Sequence, residues 1–493
     1  MMKNKKKLFC GILAVLLCAA MVLPLASCNK KPNDNNGNNN NGGQIDNAWW
    51  TTEGELTKDE NGNVAFNNVS IRLETVVAGD DKDAFNMLVE KFNREYSGKI
   101  RVNVTNTGAG TYESTVASKI TNNNNAPDLI MSHQKSHKNF ADNHLIQPLN
   151  EAMQLSGITI DVSNYASGLS QYSSLGYNDY TFSIPVDGQS MVVFYNKKAL
   201  AALGKSLPTN RTELLELCEA YKQSTGKTPI AWDTSGDYFA NYVYISAILQ
   251  NGGTLYDEST YLTSWYDNET NRNAIHNASE AFREMFSNGY ARFAESSSTI
   301  LSEFIAGNRL FYFTNPWSMT DLVTQYAERE NVSEETLIET TLGGTTYAGW
   351  FAMSDNAAKD YIFGDSHFFA MTKNVTDIHK KAAILEFIKW FTNEASVGSE
   401  WAKAGHISVS KAISESKTYQ KDTYVSNFIS KFYPDINNFR CVGNTPHYEA
   451  IISNLKAIFS DTVDNNGGHT AERDYSVIKQ KQDAVNNSIN FFG

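Results

Sequence analysis

Between residues 69 and 105 one strand pattern, one helix pattern and a second strand pattern follow one another with only short connections, and this run constrains the fold more than anything else in the chain. Val69, Ile71, Leu73, Thr75 and Val77 alternate with other residues, the period of a strand with one face turned inward. Phe85, Leu88, Val89, Phe92 and Tyr96 then recur at i, i+3, i+4, i+7 and i+11, an amphipathic helix that stops at Gly98. Arg101 to Thr105 reads as the second strand. A strand, a helix and a strand in that order make a right-handed βαβ unit and call for a parallel sheet.

The α/β pattern continues. Tyr112 to Ile120 reads as a helix and Pro127 to Met131 as a short buried strand. From Tyr180 the pattern restarts with strand Met191 to Tyr195, helix Lys197 to Leu203 and helix Arg211 to Gln223, the last opened by Asn210 and Glu213 as a capping-box-like start. Ala274 to Phe286 and Thr376 to Phe391 are two more helices, and no repeat of solenoid length occurs. Asn61-Gly62 marks a tight turn where the folded part is expected to begin. Asp59 to Asn63 has the look of a calcium loop but lacks its glycine and its final glutamate, so a hairpin is the better reading.

The start of the chain is different. Lys3, Lys5, Lys6 and Lys7 precede an apolar stretch from Leu8 to Leu23, too short to span a bilayer and followed by Pro24. Leu25-Ala26-Ser27-Cys28 closes it, and the whole resembles a bacterial lipoprotein signal peptide. That resemblance implies cleavage before Cys28, a diacylglycerol on its sulfur, and a protein tethered to the outer face of the cell membrane. Residues 33–44, almost entirely Asn and Gly, cannot bury a core and form a flexible linker, so residues 28–60 are expected to be anchor and leash. Without the leader's four lysines, 38 basic residues face 54 acidic ones, a formal charge of −16 that argues against nucleic acid as a partner. The roughly 440 residues beyond the leash suffice for two domains. Of five cysteines only Cys218 and Cys441 remain for them; Cys218 sits on an apolar helical face and reads as a buried free thiol, although export would permit a bridge.

From Val69 onward several segments, in order, resemble the extracellular solute-binding proteins of ABC importers, the family of maltose- and multiple-sugar-binding proteins. They are Phe85 to Phe92, Ala126-Pro127-Asp128-Leu129, Leu145-Ile146-Gln147-Pro148-Leu149, Ile184-Pro185 followed by Phe194-Tyr195-Asn196-Lys197, and Phe304 to Arg309 followed by Asn315-Pro316-Trp317. Departures include Arg211 where the family has tryptophan, Asn315 where glycine is usual, and Gly405-His406-Ile407-Ser408 without the final proline. The resemblance implies an α/β, two-lobed periplasmic-binding-protein-like fold of type II, with discontinuous lobes and a ligand cleft. Residues 61–185 plus 366–420 would form lobe one, and 186–365 plus 421–493 lobe two. The chain would cross near Ile184 to Gly188, Phe363 to Phe368 and Lys417 to Tyr424. It further implies a monomer that needs no cofactor or metal, captures a sugar by hinge closure and serves membrane permease subunits.

Sugar binding calls for flat apolar rings and neutral or charged hydrogen-bonding side chains. By its motif Trp317 is the first candidate, with a core position in lobe two as the alternative. Trp232 and Asp233, with Tyr238 nearby, follow an apolar run where a strand should end at the cleft. Asp80 and Asp81 end the first strand, where either ligand contact or helix capping fits. His133 and His137 have metalloprotease spacing, but Gln134 stands where the base would be; a cleft loop offering His133 and Gln134 as ligand contacts is expected instead. Asp187 at the first crossing and Ser366 with His367 at the second are expected to touch ligand or serve the hinge. The rival from another class is a surface glycosidase, whose carboxylate pair a sequence cannot show; the same fold could also take a peptide, a polyol phosphate or a metal chelate. Gly-x-Ser-x-Gly is absent, since Gly364 to Phe368 lacks the final glycine.

Overall fold

The opening strand β1 (Val69–Thr75), helix α1 (Lys82–Glu95) and strand β2 (Ile100–Asn106) form the expected parallel βαβ unit, β1 lying beside β2 from Val69 opposite Ile100 to Thr75 opposite Asn106. The computed structural model describes residues 48–79, 81–177, 179–233, 239–294, 296–463 and 469–492. The leader with Cys28, Asp80 and Tyr238 lie outside the described residues. Ile71 and Leu73 of β1 and Phe85, Leu88, Val89 and Phe92 of α1 are buried, so the two periodicities meet in one core.

Helix α2 (Ala109–Asn122), strand β3 (Leu129–His133) and helix α3 (Gln134–Asp142) continue this half, and strand β4 (Ser183–Pro185) ends it. The five-stranded sheet has the order β2, β1, β3, His367–Met371, β4. Its fourth strand is antiparallel to both neighbours and arrives from more than 180 residues downstream of β4. The second half is built on an antiparallel sheet with Val192–Asn196 between Leu342–Thr345 and Phe311–Thr314, beside the parallel pair Ile230–Asp233 and Ala291–Ala294. Between the halves run short strands: Asp187–Gly188 pairs with Ile407–Ser408, and Gln189 bridges Asp365.

The capping-box-like start forms with one shift: the Asn210 side chain accepts from the Glu213 amide at 3.0 Å, while the Glu213 carboxylate accepts from the Thr209 amide at 2.8 Å, one residue before the cap. The turn at Asp59 is a hairpin, Lys58 bridging Val64. Two expectations change. Residues 48–60, assigned to the linker, pack on the first half instead: Trp49 donates to the Ile146 carbonyl at 2.9 Å, stacks on His144 at 4.1 Å, and Glu53 bridges Asp377. The aromatic pair Trp49 and Trp50 supplies the apolar surface that an Asn/Gly tract lacks. The segment from His133 to His137 is not a loop: His133 closes β3 and α3 begins at once at Gln134.

Candidate functional site

The carboxyl ends of β1 and β3 and the amino ends of α1, α2 and α3 open onto a cavity of about 560 Å³ between the halves. Such a position outside the strands' carboxyl ends is where α/β sheets hold ligands, and the volume suits a small molecule. The first half contributes Asp81, Tyr112, Glu113, His133, Lys135 and Ser136; the second contributes Tyr242, Trp317 and Tyr448. Gln189 and Asp365 reach it from the bridge between the halves, and His367 from the start of the sheet strand that follows.

Beneath the floor lies a network of imidazoles and carboxylates. Asp187 is fully buried; its Oδ1 accepts from the His367 amide at 2.9 Å, and its Oδ2 faces His367 Nδ1 at 2.9 Å, Trp401 Nε1 at 2.9 Å and His406 Nδ1 at 3.1 Å. The other nitrogen of His406, Nε2, meets Asp81 Oδ2 at 3.0 Å, and the Trp401 indole stacks on its ring at 3.9 Å. Burial disfavours a charged His406, but the carboxylates of Asp187 and Asp81 outweigh it and hold its pKa up at about 9. Burial likewise works against ionised Asp187, yet the His367 and His406 imidazoles keep its carboxyl well below the usual range. His133 forms an ion pair with Asp365, Nδ1 to Oδ2 at 2.9 Å, which overcomes burial to raise the histidine and lower the acid.

These bonds fix what faces the cavity. With Nδ1 of His133 and His367 committed to carboxylates, each ring presents Nε2, and no hydrogen bond among the described residues reaches that atom or the side-chain amide of Gln189. His367 and Gln189 are 3% and 4% exposed, so these polar heads are aimed into the cavity from buried stems. Every charge on the wall has a partner within the protein. Asp81 meets His406, Asp365 meets His133, Ser136 donates to Glu113, and Lys135 lies 3.3 Å from Glu449 and 4.3 Å from the centre of the Tyr448 ring.

The sequence-derived candidates divide. Asp81, His133, Trp317 and His367 line the cavity, Trp317 half-buried rather than within the core. Trp232 does not: it is 2% exposed, edge-on to Phe282, Phe286 and Phe313 at 5.7 to 5.8 Å. Its neighbour Asp233 accepts from Ser297 and is not part of the wall. Gln134 is buried and donates to the Gly443 carbonyl at 3.2 Å, joining the halves behind the cavity. Asp187 lies one layer below it. His137 points away, its Nε2 2.9 Å from Ser132, and burial pushes its pKa down to about 3. Gln189, Tyr242 and Tyr448 were not singled out by sequence; Gln189 lies two residues beyond Asp187 at the first crossing, which was its only signal.

A cation would find three ligand atoms within 4.8 Å of one another at Asp187, His367 and His406. The Asp187 oxygen there already takes the Trp401 indole N–H, so the cluster is a hydrogen-bonded pin. A second such group among the described residues, His276, Glu280 and Asp474, has the Arg283 guanidinium 2.8 Å from Asp474.

Two α/β halves joined by short shared strands, with a polar and aromatic cavity between them, define a two-lobed solute-binding protein. The chain belongs to the bacterial extracellular solute-binding protein family, whose model matches residues 87–427. No curated protein matches its sequence. Its fold is similar to that of the sugar-binding protein MalE from Xanthomonas citri, with 15% identity and a TM-score of 0.68 over 86% of this chain and 99% of that one. The GacH receptor of Streptomyces glaucescens, described in complex with acarbose, is 14% identical with a TM-score of 0.63 over 85% and 99% of the two chains. UgpB from Mycobacterium tuberculosis, described in complex with glycerophosphocholine, is 16% identical with a TM-score of 0.62 over 85% and 99%. Among the described residues no helix is long and apolar enough to cross a membrane.

Proposed function

We propose that this chain is the substrate-binding subunit of an ABC importer and that it captures an uncharged carbohydrate, a short oligosaccharide, for delivery to the permease. One observation carries the choice of ligand: the charged groups of the cavity wall are engaged within the protein, while the open polar heads are the neutral Gln189 amide and the carboxylate-backed imidazoles. Hydroxyl groups match such heads, and Trp317, Tyr242 and Tyr448 offer rings for the C–H faces of a sugar. An anionic ligand would meet Asp81, Glu113 and Asp365, with the wall's lysine, Lys135, already beside Glu449.

The halves 61–185 with 366–420 and 186–365 with 421–493 act as lobes. Gln189 stands at the crossing between the halves and His367 opens the sheet strand that follows the Asp365 crossing, so ligand contacts there favour one lobe separation over another, as hinge closure requires. Cys28 carries the lipid that keeps the protein, a monomer, at the outer face of the membrane, and no reaction is catalysed. A polyol phosphate is the second reading, favoured by the amino ends of α2 and α3 at the cavity, neither capped by a side chain nor followed by an acid in its first turn. Calorimetry against neutral mono- and oligosaccharides and glycerophosphocholine separates the readings. Saturable 1:1 binding of a neutral oligosaccharide without product is expected; turnover, or binding of the phosphodiester alone, would overturn the proposal.

A further inference from the structure

The turn that carries His406 touches the loop that carries Trp317, and it does so backbone to backbone. Gly405 has φ +93°, and a Cβ placed there would run into the Pro316 carbonyl carbon and oxygen and come within 2.7 Å of the Trp317 amide nitrogen. Neither side is free to yield. Gly405 donates to the Ala402 carbonyl at 2.9 Å and His406 to the Trp401 carbonyl at 3.2 Å, while the His406 ring is pinned between Asp81, Asp187 and the Trp401 indole. Opposite, Pro316–Ser318 is one turn of 3-10 helix closed by Ser318 donating to the Asn315 carbonyl at 3.1 Å, and Met319 behind it is fully buried. The helix before Gly405, Ala395–Lys403, packs on α1 in the first half, whereas Trp317 follows a strand of the second half's sheet. The contact therefore joins the two lobes beside the cavity. A second bond follows the same seam, Thr320 Oγ1 donating to the Lys403 carbonyl at 3.2 Å.

We propose that Gly405 is a positioning residue for ligand capture: its missing Cβ lets the Pro316–Trp317 peptide seat against the first lobe and so sets how closely the lobes approach and whether Trp317 reaches the ligand. The inference rests on the reading that the lobes close on a solute. A side chain at 405 can be accommodated only by separating two braced backbones, which moves lobes rather than rotamers. Alanine at a positive φ also carries strain of its own. Gly226 supplies the control, with φ +69° at the end of helix Arg211–Thr225 and nothing within 4 Å of its added Cβ.

Gly405→Ala, Gly226→Ala and the parent, each as the full chain, are compared by small-angle X-ray scattering and thermal melting, and by calorimetry with maltotriose as the probe. Gly405→Ala is expected to have a larger radius of gyration than both others, the same melting loss as Gly226→Ala, and maltotriose affinity weakened about tenfold or more. Radii and affinity equal to those of Gly226→Ala overturn the inference, as does a melting loss far beyond that control. If the parent does not take up maltotriose, the scattering comparison decides alone, so failure of the sugar reading and failure of this one remain distinguishable.

Discussion

At the scale of single residues, the cavity is governed by side chains that never touch its contents. Asp187 holds His367 with its Nε2 toward the cavity and, through His406, ties in Asp81. Because the folded His406 titrates near 9, above its ordinary value of about 6.5, its contribution to stability is complete below pH 6.5 and is lost as pH rises through 9. Melting temperatures between pH 6 and pH 10 should therefore fall across that window, and His406→Gln should flatten the fall. Trp317→Ala should weaken sugar binding by about 2 kcal/mol or more while leaving the melting curve nearly unchanged, because the ring is half-buried at a cavity wall; a large drop in melting temperature would mark it as core. The place of Trp317 on the cavity wall agrees with the family resemblance of Asn315-Pro316-Trp317. The role of Asp187 was not legible, since it depends on Trp401 and His406, more than 200 positions away, and no local pattern signals such an encounter.

At the scale of elements, periodicity worked where one face is apolar and failed where a segment is buried on all sides. Helix α1 and the cap at Asn210 were read directly, since each is specified within a few residues. Helix α3 was missed: six of its nine residues are buried, among them Gln134, Ser136, His137 and Lys138, so its inward face is polar and gives no hydrophobic stripe. Trp232 was placed at the cleft because its strand ends there, but that strand packs against Phe282 and Phe286 of the helix Glu269–Ser287. The C-terminal helix Ala471–Phe492 is fastened by the buried Gln482 and by Asn486, which accept from the Tyr266 and Thr263 amides, and by the buried carboxylate Asp474, held by His276 at 2.8 Å and Arg283 at 2.8 Å. Asp474→Ala removes the buried acceptor shared by His276 and Arg283, whose guanidinium keeps Glu280 and the Thr462 carbonyl, and should cost about 1–3 kcal/mol. Limited proteolysis should then release the C-terminal helix at temperatures where the parent stays intact.

At the scale of the whole molecule, the two-lobed architecture followed from the order of motifs, and residues 48–60 were misjudged because composition changes gradually between leash and fold. Cys218 and Cys441 are both free and buried, with burial pushing each thiol well up from its usual range. Neither should react with a thiol reagent in the native protein, and both should react at the rate of unfolding, which makes them internal clocks for global stability. The strand His367–Met371 lies between β3 and β4, although more than 180 residues separate it from β4 in the chain. A polypeptide that emerges from its amino end cannot finish this sheet until three quarters of it has appeared. Until then β3 and β4 have unpaired edges, and long-range closure of this kind is slow. The topology thus provides a built-in delay that keeps the growing chain threadable, a useful property for a polypeptide whose place of work lies on the far side of a membrane.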